Sequence, residues 1–194
     1  MVDEGPVVMT LGHSTRPLEE FLDLLEQHGC GTVVDVRSLP RSRRYPHFDR
    51  AALSSSLAER RIGYRHCAAL GGLRRPLPST ESINRGLRNE RFRAYADHMQ
   101  TAEFAVAVAR LVDLVGANRC AVMCAEAVPW RCHRSLLADV LVARGCRVLH
   151  VIDSGRTELH RLHKGAAVTN GSVSYPADPE QQRLDQQPGY GGRE

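Results

Sequence analysis

The sequence predicts an α/β fold of three layers, with a mostly parallel sheet of about five strands flanked by helices. Short apolar runs alternate along the chain with segments whose apolar residues recur at helical spacing. The first two runs are joined by one helical segment, a βαβ unit of about 30 residues, and such a crossover makes its strands parallel.

Taken in order, "VVMTLGH" (7–13) is a short buried strand and the turn after it. The segment "STRPLEEFLDLLEQHG" starts a helix, with Ser14 or Thr15 as cap, Pro17 in the first turn, and Glu19 and Glu20 near its positive end. Leu18, Phe21, Leu22 and Leu25 share one face, and Gly29 closes it. "TVVDVR" (32–37) is the second strand, and the prolines and charges of "SLPRSRRYPHF" make a loop. Asp49 is placed to cap a helix over 50–61 that ends near Gly63, and "YRHCAAL" is the third strand. "GGLRRPLPSTES" is irregular. Helices follow across 90–99 and 102–116, the second with Phe104, Val108, Leu111 and Val115 on one face. "RCAVMC" is the fourth strand, Leu136, Leu137, Val140 and Leu141 mark a helix, and "RVLHVID" is the fifth strand. Beyond Asp153 the pattern allows a turn of helix and a short strand. Residues 1–176 thus read as a single α/β domain. Residues 177–194, rich in Gln, Gly, Pro and charge, read as a disordered C-terminal tail that buries too little to offset its own ordering.

At 194 residues the chain suffices for one sizeable core, and 42% hydrophobic with 25% charged residues is ordinary for a globular protein. No apolar run approaches the roughly 18–20 residues that cross a bilayer, so no membrane partner is expected. The opening "MVDEGPVV" has no basic region before an apolar stretch, so no signal peptide is read and the cytoplasm is the expected location. In that compartment the six cysteines are free thiols, metal ligands or catalysts rather than disulfides. Cys30 and Cys146 each follow a Gly between a helix and a strand, and read as small buried spacers.

The net charge of +4 hides an asymmetry: residues 37–93 carry 14 arginines against 4 acids, a local balance of +10. Such a segment suits a polyanion or a phosphorylated ligand. Because 25 of the 26 basic residues are Arg, plain solvated surface is the competing explanation.

Ligands of open parallel sheets bind outside the carboxyl ends of the strands. Three clusters fall there: Gly12-His13-Ser14 after the first strand, Asp35 and Arg37 at the end of the second, and Cys124 with Glu126 at the end of the fourth. In this reading Cys124 is the thiolate, favoured by a helix N-terminus and arginine. His133 or His13 transfers protons, Asp35 orients an imidazole, and Arg37 and Arg134 grip carboxylate or phosphate. The competing reading is a buried ion pair between Asp35 and an arginine, with Cys124 packed as core.

Three familiar motifs fall short. A phosphatase-like loop has five residues between Cys and Arg, whereas six separate Cys124 from Arg131. The order H-x-E then P-C-x-x-C of zinc deaminases is absent. Cys124, Cys132 and His133 lack the close pairing of structural zinc sites, though His13 or His150 would complete a cage if the fold converged them.

The ordered set "TLGHS", "VVDVRSLPRS", "YPHF", "YRHCAALGG", "VMCAE" and "CHR" resembles the family called domain of unknown function 488 from about residue 7 to 176. That resemblance implies a compact α/β fold and one site drawn from His13, Ser14, Asp35, Arg37, Cys124, Glu126, Cys132, His133 and Arg134. It implies no reaction. Cys124, His133, His13, Asp35 and Glu126 are the catalytic candidates; Ser14, Arg37, Arg134 and Cys132 are the substrate-binding ones.

The leading expectation is a Cys/His-dependent transferase or hydrolase acting on a small anionic or nucleotide-like substrate. One alternative is a nucleic-acid-binding protein using the 37–93 segment, whose Tyr45, Phe48 and Tyr64 interleave with arginine as stacking on single strands requires. Another is a metal-dependent enzyme using Cys124, Cys132 and His133. The residues specify neither a cofactor nor an oligomeric state.

Overall fold

The computed structural model describes residues 5–177. Of the tail read as disordered, residues 178–194 lie outside the described residues. Six strands form one sheet in the order β3-β2-β4-β1-β5-β6. They are β1 (Val7–Gly12), β2 (Thr32–Asp35), β3 (Gly63–His66), β4 (Cys120–Cys124), β5 (Arg147–Asp153) and β6 (Arg156–Leu159). The first five are mutually parallel, and β6 returns antiparallel to β5.

Alternate side chains of each strand enter opposite layers, as the period of two requires. Met9, Leu11, Val33 and Met123 pack against α1 (Leu18–Gln27) and α2 (Arg50–Glu59), through Phe21, Leu22, Leu25, Leu53 and Leu57. Val8, Val34, Val122, Cys124 and Val148 face the other layer. That layer is α3 (Glu90–His98), α4 (Ala102–Ala117) and α5 (Arg134–Ala143), with Phe104, Leu111, Leu136 and Leu137 at the contact. Cys30 and Cys146 are buried spacers, as read.

The sheet order matters for the site. β4 inserts between β1 and β2, with Gly12 opposite Cys124 and Asp35 opposite Met123. The chain leaving β1 and β2 is then tied to β4: His13 N–H donates to Cys124 O at 3.0 Å, Ser14 N–H to Ala125 O at 2.9 Å and Val36 N–H to Met123 O at 2.9 Å. All three sequence clusters therefore meet at one edge.

Several local expectations are corrected. Neither Ser14 nor Thr15 caps α1; Pro17 occupies that position, its fixed φ preset for the turn, while Ser14 adopts φ 45° and spends its N–H on β4. Asp49 precedes α2, but its carboxylate accepts Ser42 N–H at 2.6 Å instead of capping the helix. The third strand stops at His66, and Ala68–Leu70 wind into a 3-10 turn that buries Leu70. After β5 there is no helix among the described residues. Besides β6, a hairpin of β7 (Ala167–Thr169) and β8 (Ser172–Ser174) turns through Asn170 (φ 51°) and Gly171 (φ 73°), the backbone that two-residue hairpins favour.

Candidate active site

An open cleft of about 750 Å³ lies over the carboxyl edge of β2 and β4. Its walls come from the loop after β2 (Arg37, Ser38, Leu39, Arg41), the loop after the 3-10 turn (Gly72, Leu73, Arg74, Pro76) and the start of α3. Five arginines line it (Arg37, Arg41, Arg74, Arg91 and Arg131), against Glu90 and Glu126. Cys124, Cys132 and His133 complete the lining.

The floor is built by two adjoining structures. Cys124 is the last residue of β4, and a 3-10 turn at Pro129–Arg131 delivers Cys132 to the start of α5. The two sulfurs stand 3.0 Å apart, both free thiols and both buried. Cys124 Sγ accepts Glu126 N–H at 3.3 Å, and Cys132 Sγ accepts Arg134 N–H at 3.5 Å with His133 Nδ1 at 3.5 Å. Beneath them lies Arg134, 1% exposed. Its Nη2 donates to the carbonyls of Glu126 (2.6 Å) and Ala127 (3.3 Å), and its Nε has no partner among the described residues. Among the described residues no carboxylate forms an ion pair with Arg134, and the ionisable neighbours that most favour its charge are the two sulfurs.

A buried cation without a counter-ion is costly, and the two sulfurs are the groups placed to compensate Arg134. One proton shared by the two sulfurs would supply that charge. The Cys124 hydrogen bond, assisted by His133 and Arg134, holds the Cys132 thiol well below its ordinary range. Burial and that same bond push Cys124 well above it. Of the two thiols, Cys132 is therefore the more acidic and Cys124 the one that holds its proton more tightly. Cys132, not Cys124, has the His133 imidazole beside its sulfur.

The remaining candidates divide cleanly. Asp35 is fully buried and bound to Arg37, with Nε to Oδ1 at 2.9 Å, Nη2 to Oδ2 at 2.6 Å and the Arg37 N–H to Oδ1 at 3.0 Å. Tyr64 OH adds 2.7 Å to Oδ2. The competing reading of a buried pair is correct here, and among the described residues no imidazole hydrogen-bonds Asp35. Arg37 still reaches the cleft wall. His13 stacks on Phe48 at 4.3 Å between ring centres, with Nδ1 to Ser14 O at 3.1 Å and Nε2 3.5 Å from Arg37 Nη1. Burial first and Arg37 second hold its imidazole down at about 4, so near neutral pH the ring is neutral. Arg37, Cys124, Glu126, Cys132 and His133 line the cleft, and His13, Ser14, Asp35 and Arg134 are not among its lining residues. Arg134 braces the 126–127 loop.

Some of the site was missed from sequence. Gly12 has no room for a Cβ against the Glu126 carbonyl, and one on Gly72 would overlap the His133 imidazole. That ring packs on Tyr95, 4.9 Å between centres, and its Nε2 is buried without a hydrogen-bond partner among the described residues. The pair of glycines in "YRHCAALGG" was the available signal. The loop arginines also split: Arg41 lines the cleft, whereas Arg44 stacks over Tyr45.

A second polar chain lies beyond α5. Thr10 OH meets His150 Nδ1 at 2.7 Å, His150 Nε2 meets His160 Nδ1 at 2.9 Å, and His160 Nε2 meets Asp139 Oδ1 at 2.9 Å. Tyr175 OH donates to Asp139 Oδ2 at 2.6 Å. His13 and His150 are therefore engaged away from the cysteines and complete no cage with them. Among the described residues no group of three or more His, Cys, Asp or Glu side chains is placed to hold a metal ion. No helix among them is long and apolar enough to cross a membrane.

A family model described as domain of unknown function DUF488 matches residues 17–141, nearly two thirds of the chain. The match includes Asp35, Arg37, both sulfurs of the pair, His133 and Arg134, and leaves His13 and Ser14 outside. No curated protein and no solved structure matches the chain.

Proposed function

The chain belongs to the family described as domain of unknown function DUF488, and we propose that it is an enzyme acting on a small anionic substrate through the Cys132 thiolate. The observation that carries this reading is a buried guanidinium, Arg134, facing two sulfurs 3.0 Å apart at the floor of an arginine-lined cleft. A thiolate is the nucleophilic form of cysteine, and here its charge is part of the fold. Cys132 attacks the substrate. His133, with Nδ1 3.5 Å from Cys132 Sγ, is placed to move a proton between the sulfur and a leaving group. Arg41, Arg74 and Arg91 hold the anionic part of the substrate. The products of such an attack are those of a transferase or hydrolase.

Protection of Cys132 from iodoacetamide tests this reading, with inorganic phosphate, a nucleoside monophosphate and a short dicarboxylate as probes. At least one should slow alkylation, and replacing Arg41 and Arg74 by Ala should weaken that protection about tenfold or more, since a charge-assisted hydrogen bond contributes about 1.5–3 kcal/mol. Equal alkylation with and without every anion would count against it.

A further inference from the structure

We infer that Cys124 and Cys132 form a redox couple, a dithiol that converts to a disulfide by exchange with carboxylate-bearing low-molecular-weight disulfides entering through the arginine cleft. This rests on the proposed anionic cleft for its substrate class, but on separate geometry for its chemistry.

The 3.0 Å between the sulfurs is about 1 Å longer than a disulfide bond, so modest movement of the 125–131 loop closes it. Ala125, Glu126, Ala127 and Trp130 in that loop are exposed, which leaves it room to move. The cleft is where a reagent can meet the pair, because both buried cysteines line it. The proton arrangement is already that of an attacking and a resolving thiol. With Cys132 the more acidic of two sulfurs in contact, Cys124 holds the proton that must leave before it can resolve.

The exchange runs in two displacements. Cys132 thiolate attacks one sulfur of RSSR; a Cys132–SR bond forms, the substrate S–S bond breaks, and RS⁻ leaves with the bonding electrons. Cys124 then gives its proton to the departing thiolate, and its sulfur attacks Cys132 Sγ. The Cys124–Cys132 bond forms, the mixed disulfide breaks, and the second RS⁻ departs. The protein loses two electrons and one proton, and RSSR becomes RSH and RS⁻. Run backwards, two thiols restore the dithiol. Arg134 biases the position of equilibrium: the reduced pair balances its charge, whereas a neutral disulfide leaves it facing carbonyls alone. The disulfide is therefore readily re-reduced, as befits a couple that turns over rather than a structural crosslink.

The test incubates the full chain with glutathione disulfide at several ratios to glutathione, quenches with acid, blocks free thiols and maps the peptides by mass. Expected is an internal Cys124–Cys132 disulfide at oxidising ratios, reversed by excess glutathione, and glutathione retained on Cys132 in Cys124→Ser. Glutathione left on Cys132 of the unaltered protein, or no modification of either cysteine, would overturn the couple while leaving the anion cleft intact. Hydroxyethyl disulfide, which is uncharged, separates the two ideas. Slower reaction than with glutathione disulfide, with the difference removed by Arg41→Ala and Arg74→Ala, supports the charge selection. Equal rates with an internal disulfide formed would retain the couple and overturn both its substrate class and the anionic cleft.

Discussion

Lowering the pH from 7 to 5 should remove about 4 kcal/mol of stability through two buried histidines. His13 and His150 are each held down at about 4 from an ordinary 6.5. The causes are burial, then Arg37 for His13 and His160 for His150. The groups facing them are Arg37, Asp35 and His47 in the first case and His160, Arg134, Asp139 and Cys132 in the second. Both rings stay neutral in the folded chain, while the unfolded chain protonates them from about pH 6.5 downward. The unfolded state thus binds more protons between about 6.5 and 4. Stability from this source is complete above 6.5 and falls as the pH drops towards 4. Integrating the two titrations gives about 2 kcal/mol lost per histidine at pH 5 and about 3 at the limit. Set against a typical domain stability of 5–15 kcal/mol, this is a large share. Urea unfolding at pH 7 and pH 5 measures it directly. His150→Gln should remove about half of the difference, because Gln cannot take a proton. Equal stability at the two pH values, or an undiminished difference in the variant, would refute the reasoning.

Asp35→Asn should cost about 3 kcal/mol or more in a denaturant melt, because it strips the carboxylate from a buried guanidinium. Gly72→Ala should displace the His133 imidazole and lower stability by about 1–3 kcal/mol; a thermal melt reads the second effect, and a changed pH profile of Cys132 alkylation reads the first. Arg43 and Arg44 do not line the cleft, so replacing both by Ala should leave anion protection of Cys132 unchanged. If residues 37–93 instead track a nucleic acid, the same double replacement would flatten the salt dependence of oligonucleotide binding, by about one unit of log–log slope for each phosphate no longer neutralised.

The sheet was legible because its signals are local. Five strands and five helices follow from apolar periodicity, and their alternation requires parallel pairing. That β4 enters between β1 and β2 is a long-range fact that no local pattern carries, yet it is what brings Gly12, Asp35 and Cys124 to one edge. The antiparallel β6 was missed because "RTEL" is short, charged and largely exposed. Strand ends and a helix start pointed to Arg37, Cys124, Glu126, Cys132 and His133, which line one cleft, but not to how those groups divide the work. Cys124 has the look of a nucleophile at a strand end, but which of two adjacent sulfurs keeps the proton depends on three-dimensional neighbours of Cys132. Asp35 and Arg37 were seen to point the same way, and burial of both made their mutual pairing win over any contact with an imidazole. Gly72 acts through a ring sixty-one positions later, which spacing alone does not reveal.

The central claim is that Cys124 and Cys132 share one proton and carry the charge that balances Arg134. The pH dependence of iodoacetamide alkylation, resolved by peptide for each cysteine in the folded chain, tests it most directly. Cys132 should alkylate with a midpoint well below about 8.5, the ordinary value for a free thiol. Cys124 should lag it throughout, and Cys30, Cys67, Cys120 and Cys146, all pushed up by burial, should lag as well. Alkylation of Cys132 only above that ordinary value, or faster labelling of Cys124 than of Cys132, would contradict the account.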